Sequence, residues 1–242
     1  MKNKAELTTQ QIVMLIILIV SFVIILFLVF RLNLGETSQK EICHNSVILK
    51  ERSLVGVTLD CKTNYICISG GEDCENFNPS ETIKIDLNNP DAEKLIMKTI
   101  ADEMADCWWM FGEGKVDYVG DYSGYHCAIC SIIHFDKEIQ DKVSKTITYD
   151  DFYSYLENTK KDDSQTYLKY LYGSPSFSTI KPYLGVNQFS FSDAILFEEK
   201  YAVLTGRNKE ALTSDAIVYP SFIKSGELTD KTECTDFDLT KS

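Results

Sequence analysis

The sequence predicts an α+β protein: an N-terminal transmembrane helix followed by one disulfide-rich mixed ectodomain with mainly antiparallel strands and several helices. Three observations predict it. Ile12 to Phe30 is a 19-residue apolar run interrupted only by Ser21. All eight cysteines, Cys43, Cys61, Cys67, Cys74, Cys107, Cys127, Cys130 and Cys234, lie beyond that run. Downstream, apolar residues recur with helical spacing in some segments and with period two in others.

The apolar run comes first. At about 1.5 Å per residue it would span roughly 28 Å as a helix, the hydrocarbon thickness of a bilayer. A helix that is apolar on every face has no use for water. The expected organisation is therefore 1–34 as cytoplasmic tail and transmembrane helix, and 35–242 as an extracytoplasmic domain. The lipid bilayer is the expected partner through Ile12 to Phe30. Lys2, Lys4 and the terminal amine place the N-terminus in the cytoplasm under the positive-inside rule. Cysteines confined to the far side of an anchor point to an oxidising compartment there. The expected location is the plasma membrane, single-pass. The residues that follow, Arg31-Leu32-Asn33-Leu34-Gly35-Glu36, lack the small-residue pattern of a cleaved signal peptide. Leu32 to Lys40 reads as a flexible stem.

Lys4-Ala5-Glu6-Leu7, just ahead of the apolar run, resembles the class III signal of archaeal type IV pilin-like proteins. The resemblance implies a cut between Ala5 and Glu6, with the hydrophobic helix retained and packed into a filament core. It covers the N-terminal segment alone. The remainder resembles membrane-anchored archaeal proteins of no assigned function, and that second resemblance implies no chemistry.

Charge narrows the partners. The chain holds 24 basic and 36 acidic residues, of which Lys2, Lys4, Arg31 and Glu6 lie up to Arg31. The rest carries a net charge of about −14, which repels phosphate backbones and disfavours nucleic acid. Protein partners at the cell surface are the expected alternative. Apolar residues make up 44% of the chain, enough for a packed core.

Eight cysteines fit four bridges, and spacing alone does not choose the pairing. One pair is local: Gly70-Gly71 supplies a turn between Cys67 and Cys74, and closing that loop would contribute roughly 2.5 kcal/mol. Cys127-Ala-Ile-Cys130 has the spacing of a thiol–disulfide oxidoreductase, whose attacking thiolate sits at a helix N-terminus. Here the motif runs into Ser131-Ile-Ile-His-Phe135, which reads as a strand. Strand side chains alternate faces, so the two sulfurs would serve separate partners. A zinc reading would use the same cysteines with Cys107, His126 or His134, but only one C-x-x-C is present where a knuckle needs two.

The elements follow in order. Residues 46–50 and 63–69 read as short strands, and Thr82 to Leu87 as a third that ends at Asn88-Asn89-Pro90. Asn89 can cap a helix that has Pro90 at its first position and runs to about Met110. On a helical wheel Ile96, Met97, Ile100, Met104, Cys107, Trp108 and Phe111 fall within about 120° and form its packing face. Cys107, near the helix C-terminus, is poorly placed for a catalytic thiolate. Trp109 lies opposite, near Asp102 and Asp106. It either grips a cationic group or packs under a neighbouring segment.

Tyr125 to Phe135 reads as a strand and Lys137 to Ser144 as a short helix. Helices are expected at Asp150 to Thr159 and Asp163 to Tyr172, the latter stopped by Gly173. Their Tyr and Phe residues are helix-spaced and read as packing. Strands are expected at Ile195 to Phe197, Tyr201 to Thr205 and Ala216 to Tyr219. The polar breaks at 198–200 and 207–209 are too short for anything but antiparallel connections.

No G-x-S-x-G, H-E-x-x-H, Walker A, G-x-G-x-x-G or EF-hand pattern occurs, so no cofactor is implied. Three histidines leave little scope for acid–base work near neutral pH. The expected role is a structural or protein-interaction domain held outside the cytoplasm. The alternatives are a pilin-like filament subunit and a thiol–disulfide oxidoreductase using Cys127 and Cys130.

Overall fold

The computed structural model describes residues 9–31, 38–52, 58–119, 124–143, 146–184, 193–209, 215–228 and Cys234. The chain divides into two compact units, Met1–Ser38 and Gln39–Ser242.

The first unit contains helix α1 (Thr9–Arg31). Its apolar side chains are exposed, from Ile12 at 46% to Leu18 at 68%. Among the described residues, no helix is long and apolar enough to cross a membrane. The expected transmembrane helix is corrected on that ground. The class III signal at Lys4 to Leu7 lies outside the described residues. So does most of the expected stem, whose last residues, Gln39 and Lys40, already belong to a helix.

The second unit is a five-stranded sheet with helices packed on it. In order come α2 (Gln39–Arg52), β1 (Asn64–Ser69), β2 (Glu81–Lys84), α3 (Ala92–Met110), a 3₁₀ turn (Gly112–Gly114), β3 (Gly124–Phe135), α4 (Lys137–Lys142), α5 (Tyr149–Asn158), α6 (Tyr167–Tyr172), α7 (Phe177–Leu184), β4 (Tyr201–Lys209) and β5 (Asp215–Lys224). The strand order is β2-β1-β3-β4-β5. β1 pairs parallel with both β2 and β3, whereas β3–β4 and β4–β5 are antiparallel. The expectation of mainly antiparallel strands is thus corrected to a mixed sheet. Period-two patterning marks a strand but says nothing of its direction. Here α3 supplies the long crossover that a parallel β1–β3 pair needs.

α3 is the packing helix. Ile96, Ile100, Met104, Cys107, Trp108 and Phe111 are all buried, as the wheel predicts. They meet Ile66 and Ile68 of β1 and Ile133 and Phe135 of β3 in one core. Each such side chain contributes about 1.5–3 kcal/mol relative to exposure. Its start differs from expectation. The N-cap is Asp91, without a side-chain bond, and Asn89 instead accepts from the Asp91 N–H at 2.9 Å, closing the preceding turn.

The later helices carry the caps their sequences advertise. Asp136 accepts from the Ile139 N–H, Thr148 and Asp151 form a capping box, Thr166 caps α6, and Gly173 ends it at φ 70°. Phe152, Tyr153, Tyr167 and Tyr172 are buried, so the aromatic residues of α5 and α6 are mostly packing.

Four element boundaries or types are corrected. Residues 46–50 belong to α2: Cys43 and Val47, four apart, face inward together, and this helical contact overrides β propensity. Ile195 and Phe197 are buried but form no strand, because the Ile195 N–H is taken by the Ile147 carbonyl and Phe197 packs at a tilt on Phe135. Residues 163–166 make a turn ahead of α6 in which Asp162 accepts from Ser164 and Gln165. The expected break at 207–209 lies inside β4, where Arg207 and Asn208 are buried. α7, which contains Pro182, was not expected.

Candidate functional site

The eight cysteines form four disulfides: Cys43–Cys61, Cys67–Cys74, Cys107–Cys130 and Cys127–Cys234. The local Cys67–Cys74 bridge is the one that spacing predicts. Cys127 and Cys130 part company as strand geometry predicts, helped by a register shift between Ile129 and Ser131 that places Cys130 in an irregularity of β3. Cys130 ties β3 to α3. Cys127 ties β3 to the C-terminal segment. Both are buried. A redox C-x-x-C must form a bond between its own two sulfurs and expose one of them, and here neither condition holds. The sulfurs a zinc site would need are likewise in bridges, and no metal-holding group of side chains is found among the described residues.

Trp109 packs against a neighbouring helix. Its ring stacks on His44 of α2, with centroids 4.0 Å apart and planes within 10°. The His44 Nδ1 lies 2.8 Å from the Trp109 carbonyl. The cation beside this face comes from the chain itself. Lys40 of α2 reaches both Glu103 and Asp106 at 2.7 Å. Burial works against its ammonium form, but the two carboxylates outweigh burial and hold Lys40 charged. Lys98 pairs with Asp102 within α3 itself, one turn apart and exposed. This face of α3 is a helix–helix contact.

A second carboxylate cluster is also internal. Asp136, fully buried, accepts from the Ser69 hydroxyl at 2.9 Å and from the N–H groups of Gly70, Gly71 and Glu72 at 2.9–3.2 Å. Burial alone would raise its pKa. The hydrogen bonds from Ile139, Gly70, Ser69 and Glu72 outweigh that and hold the carboxyl below the usual carboxylate range. Next to it in β3, His134 is buried with no partner on Nδ1 among the described residues. Its pKa is lowered, chiefly by burial.

The remaining feature is a cleft of about 330 Å³ where the end of α3, the 3₁₀ turn, α6 and β5 meet. It is lined by Trp108, Glu113, Lys115, Gln165, Tyr170, Leu171, Gly173, Ile217 and Tyr219. A packed helix and a strand form its walls, and the turn supplies its acid. Gly112, Glu113 and Gly114 all have positive φ, at 73°, 55° and 70°. A Cβ on Gly114 would meet Trp108 at 2.8 Å and Ile217 at 2.9 Å. That close approach requires glycine. Glu113 has no such excuse: a left-handed residue with a Cβ costs about 1 kcal/mol, and such strain clusters at functional positions.

The turn aims the Glu113 carboxylate at two groups. Tyr170 donates to it at 2.9 Å, and the Lys115 ammonium lies 2.5 Å away. Partial burial works to raise the Glu113 pKa. The contacts from Lys115 and Tyr170, with the charge of Lys161, outweigh it and keep the carboxyl ionised. The rings of Trp108 and Tyr219 lie 5.8 Å apart, and Tyr219 is 41% exposed. Lys161 sits 4.3 Å from the centroid of Tyr170. In the sequence alone Gly112-Glu113-Gly114 reads only as the stop of the preceding helix. The one available hint was a charged residue between two glycines. Compared with protein-family models, with curated proteins and with solved structures, this chain matches none.

Proposed function

We infer that residues 39–242 form an extracytoplasmic, disulfide-stapled binding domain that engages partners through the Glu113 cleft. The observation that supports this most is the complete pairing of all eight cysteines into four bridges, with Cys127 and Cys130 in different ones. Four disulfides persist where thiols are not continuously reduced, outside the cytoplasm. The cleft supplies a pre-formed concave surface with aromatic walls and one ionised acid, the composition of a recognition site. Disulfide mapping of the full-length protein, taken without reductant from its own cells, tests the reading. The four bridges are expected. Eight free thiols would place the domain in a reducing space and end it.

A pilin-like subunit is a second reading, favoured by the exposed apolar side chains of α1. A helix with such a surface needs cover, and copies of the same helix in a filament core would provide it. Intact mass of the protein from its native source decides: a mass lacking Met1 to Ala5 supports processing, and retention of those residues rules it out.

A further inference from the structure

We propose that the cleft binds a primary alkylammonium group, seated against Glu113 and the rings of Trp108, Tyr170 and Tyr219. This rests on the binding-domain reading above and names the chemistry that the site selects.

Two of the lining residues already hold ammonium groups of the chain itself. The Glu113 carboxylate holds one ammonium, that of Lys115, at 2.5 Å. The Tyr170 face holds another, that of Lys161, 4.3 Å from the ring centroid. Lys115 lines the cleft and Lys161 does not. The Lys115 side chain is 77% exposed and only two residues from its partner, and a pair of that kind is worth little in water. An ammonium entering against Tyr170 and Tyr219 would replace it while adding contact with aromatic faces that lie partly out of solvent. Cation–π attraction strengthens under those conditions.

Geometry and charge favour a cation over the alternatives. Glu113 is held in its left-handed conformation between two glycines, which points its carboxylate into the cleft at a backbone cost. It stays ionised at neutral pH because its hydrogen bonds and nearby ammonium groups outweigh partial burial. An anionic ligand would meet that charge, and the acidic surface of the unit, at close range. A neutral apolar ligand would gain nothing from the carboxylate, which Tyr170 and Lys115 already satisfy. The volume, about 330 Å³, lies at the small end of ligand sites and suits one extended side chain or a short amine.

The two tryptophans make the test direct. Trp109 stacks on His44 outside the cleft, so Trp109→Phe leaves Trp108 in the cleft wall as the single indole reporter. The full-length W109F protein would be titrated with Nα-acetyl-lysine N-methylamide, standing for a lysine presented by a protein. Cadaverine stands for a free amine, and Nα-acetyl-norleucine N-methylamide is the uncharged control. Methyl β-glucoside tests a sugar ligand. Saturable fluorescence change is expected with one or both ammonium probes, weakening as salt rises. Tighter binding of the lysine amide would assign a protein partner, and tighter binding of cadaverine a free amine. Glu113→Gln keeps an acceptor for Tyr170 but removes the charge, and is expected to weaken ammonium binding about tenfold with unchanged melting. Glu113→Gly is a second variant that relieves the backbone and removes the acid, with the same loss expected. Absence of saturation with both ammonium probes overturns the inference. So does binding of norleucine amide or glucoside as tight as that of the ammonium probes, or indifference to both Glu113 variants. If the four bridges are mapped and binding is absent, only this inference falls. If thiols are free in native material yet the oxidised protein binds ammonium, the extracytoplasmic reading falls instead.

Discussion

The Gly70-Gly71 loop at the end of β1 and the Gly112-Glu113-Gly114 turn at the end of α3 both set glycines beside a carboxylate. Asp136 and Glu113 nonetheless end in opposite circumstances. Asp136 is enclosed and accepts from four groups of the 69–72 loop and from its own helix N-terminus. Glu113 holds one tyrosine hydroxyl and one exposed lysine, on a backbone that no glycine relaxes. A carboxylate whose acceptor capacity is filled by its own backbone has a structural task. One aimed into a cleft, with weak partners and local strain, has capacity left for a ligand. Burial and hydrogen-bond count separate the two cases where sequence does not.

The contrast breaks most easily at Asp136. Asp136→Ala strips the acceptor from several buried N–H groups and is expected to cost about 3 kcal/mol. The check is a urea midpoint against the parent, and a loss below about 1 kcal/mol would show the loop holding itself without the carboxylate. Cys67→Ala with Cys74→Ala opens the same loop and is expected to cost about 2.5 kcal/mol on loop entropy. Calorimetric melting of the double variant measures it, and an unchanged midpoint would leave the bridge without energetic weight.

The β1 end of the sheet also carries the pH response. The His134 pKa is lowered, chiefly by burial, from its ordinary value of about 6.5. The unfolded chain therefore takes up the proton more readily than the folded one. That contribution to stability is present above about pH 6.5 and is lost as pH falls below it. Melting temperature is expected to decline between about pH 7 and 5, and His134→Gln is expected to flatten the decline. An identical slope in the variant would assign the decline to other groups. Asp136, whose pKa is also lowered, adds a loss only below the ordinary carboxylate range of about 3.9.

The smallest effect is expected at the cleft. Glu113→Gly removes about 1 kcal/mol of left-handed strain but adds backbone freedom to the unfolded chain and deletes one part-buried hydrogen bond and one ion pair to an exposed lysine. Stability is expected to stay within about 1 kcal/mol of the parent. A loss as large as that for Asp136→Ala would make Glu113 a structural residue and dissolve the contrast.

Much of the fold was legible in the chain because it depends on local period and local chemistry. The α3 stripe from Ile96 to Phe111, the Cys67–Cys74 loop, the Gly173 stop and the parting of Cys127 from Cys130 all follow from spacing within one element. Misreadings arose where a distant partner decides. Val47 and its neighbours carry strand propensity, yet α3 and the Cys43–Cys61 bridge hold them in a helix. Ile195 and Phe197 look like a strand but find their partners in Ile147 and Phe135. The apolar character of Ile12 to Phe30 was equally plain, but apolar sequence does not by itself supply a membrane span.

The cleft was the least legible feature. Its walls come from α3, the 3₁₀ turn, α6 and β5, which are separated by up to about a hundred residues and have no shared spacing for a sequence to display. Covalent and periodic facts belong to the chain itself: which residues are apolar, where cysteines and glycines fall, and how the charges balance. Strand direction, the long-range disulfide pairs and the meeting of Glu113 with Trp108, Tyr170 and Tyr219 were decided only by folding. They depend on which distant surfaces bury each other best, and that is a property of the packed whole.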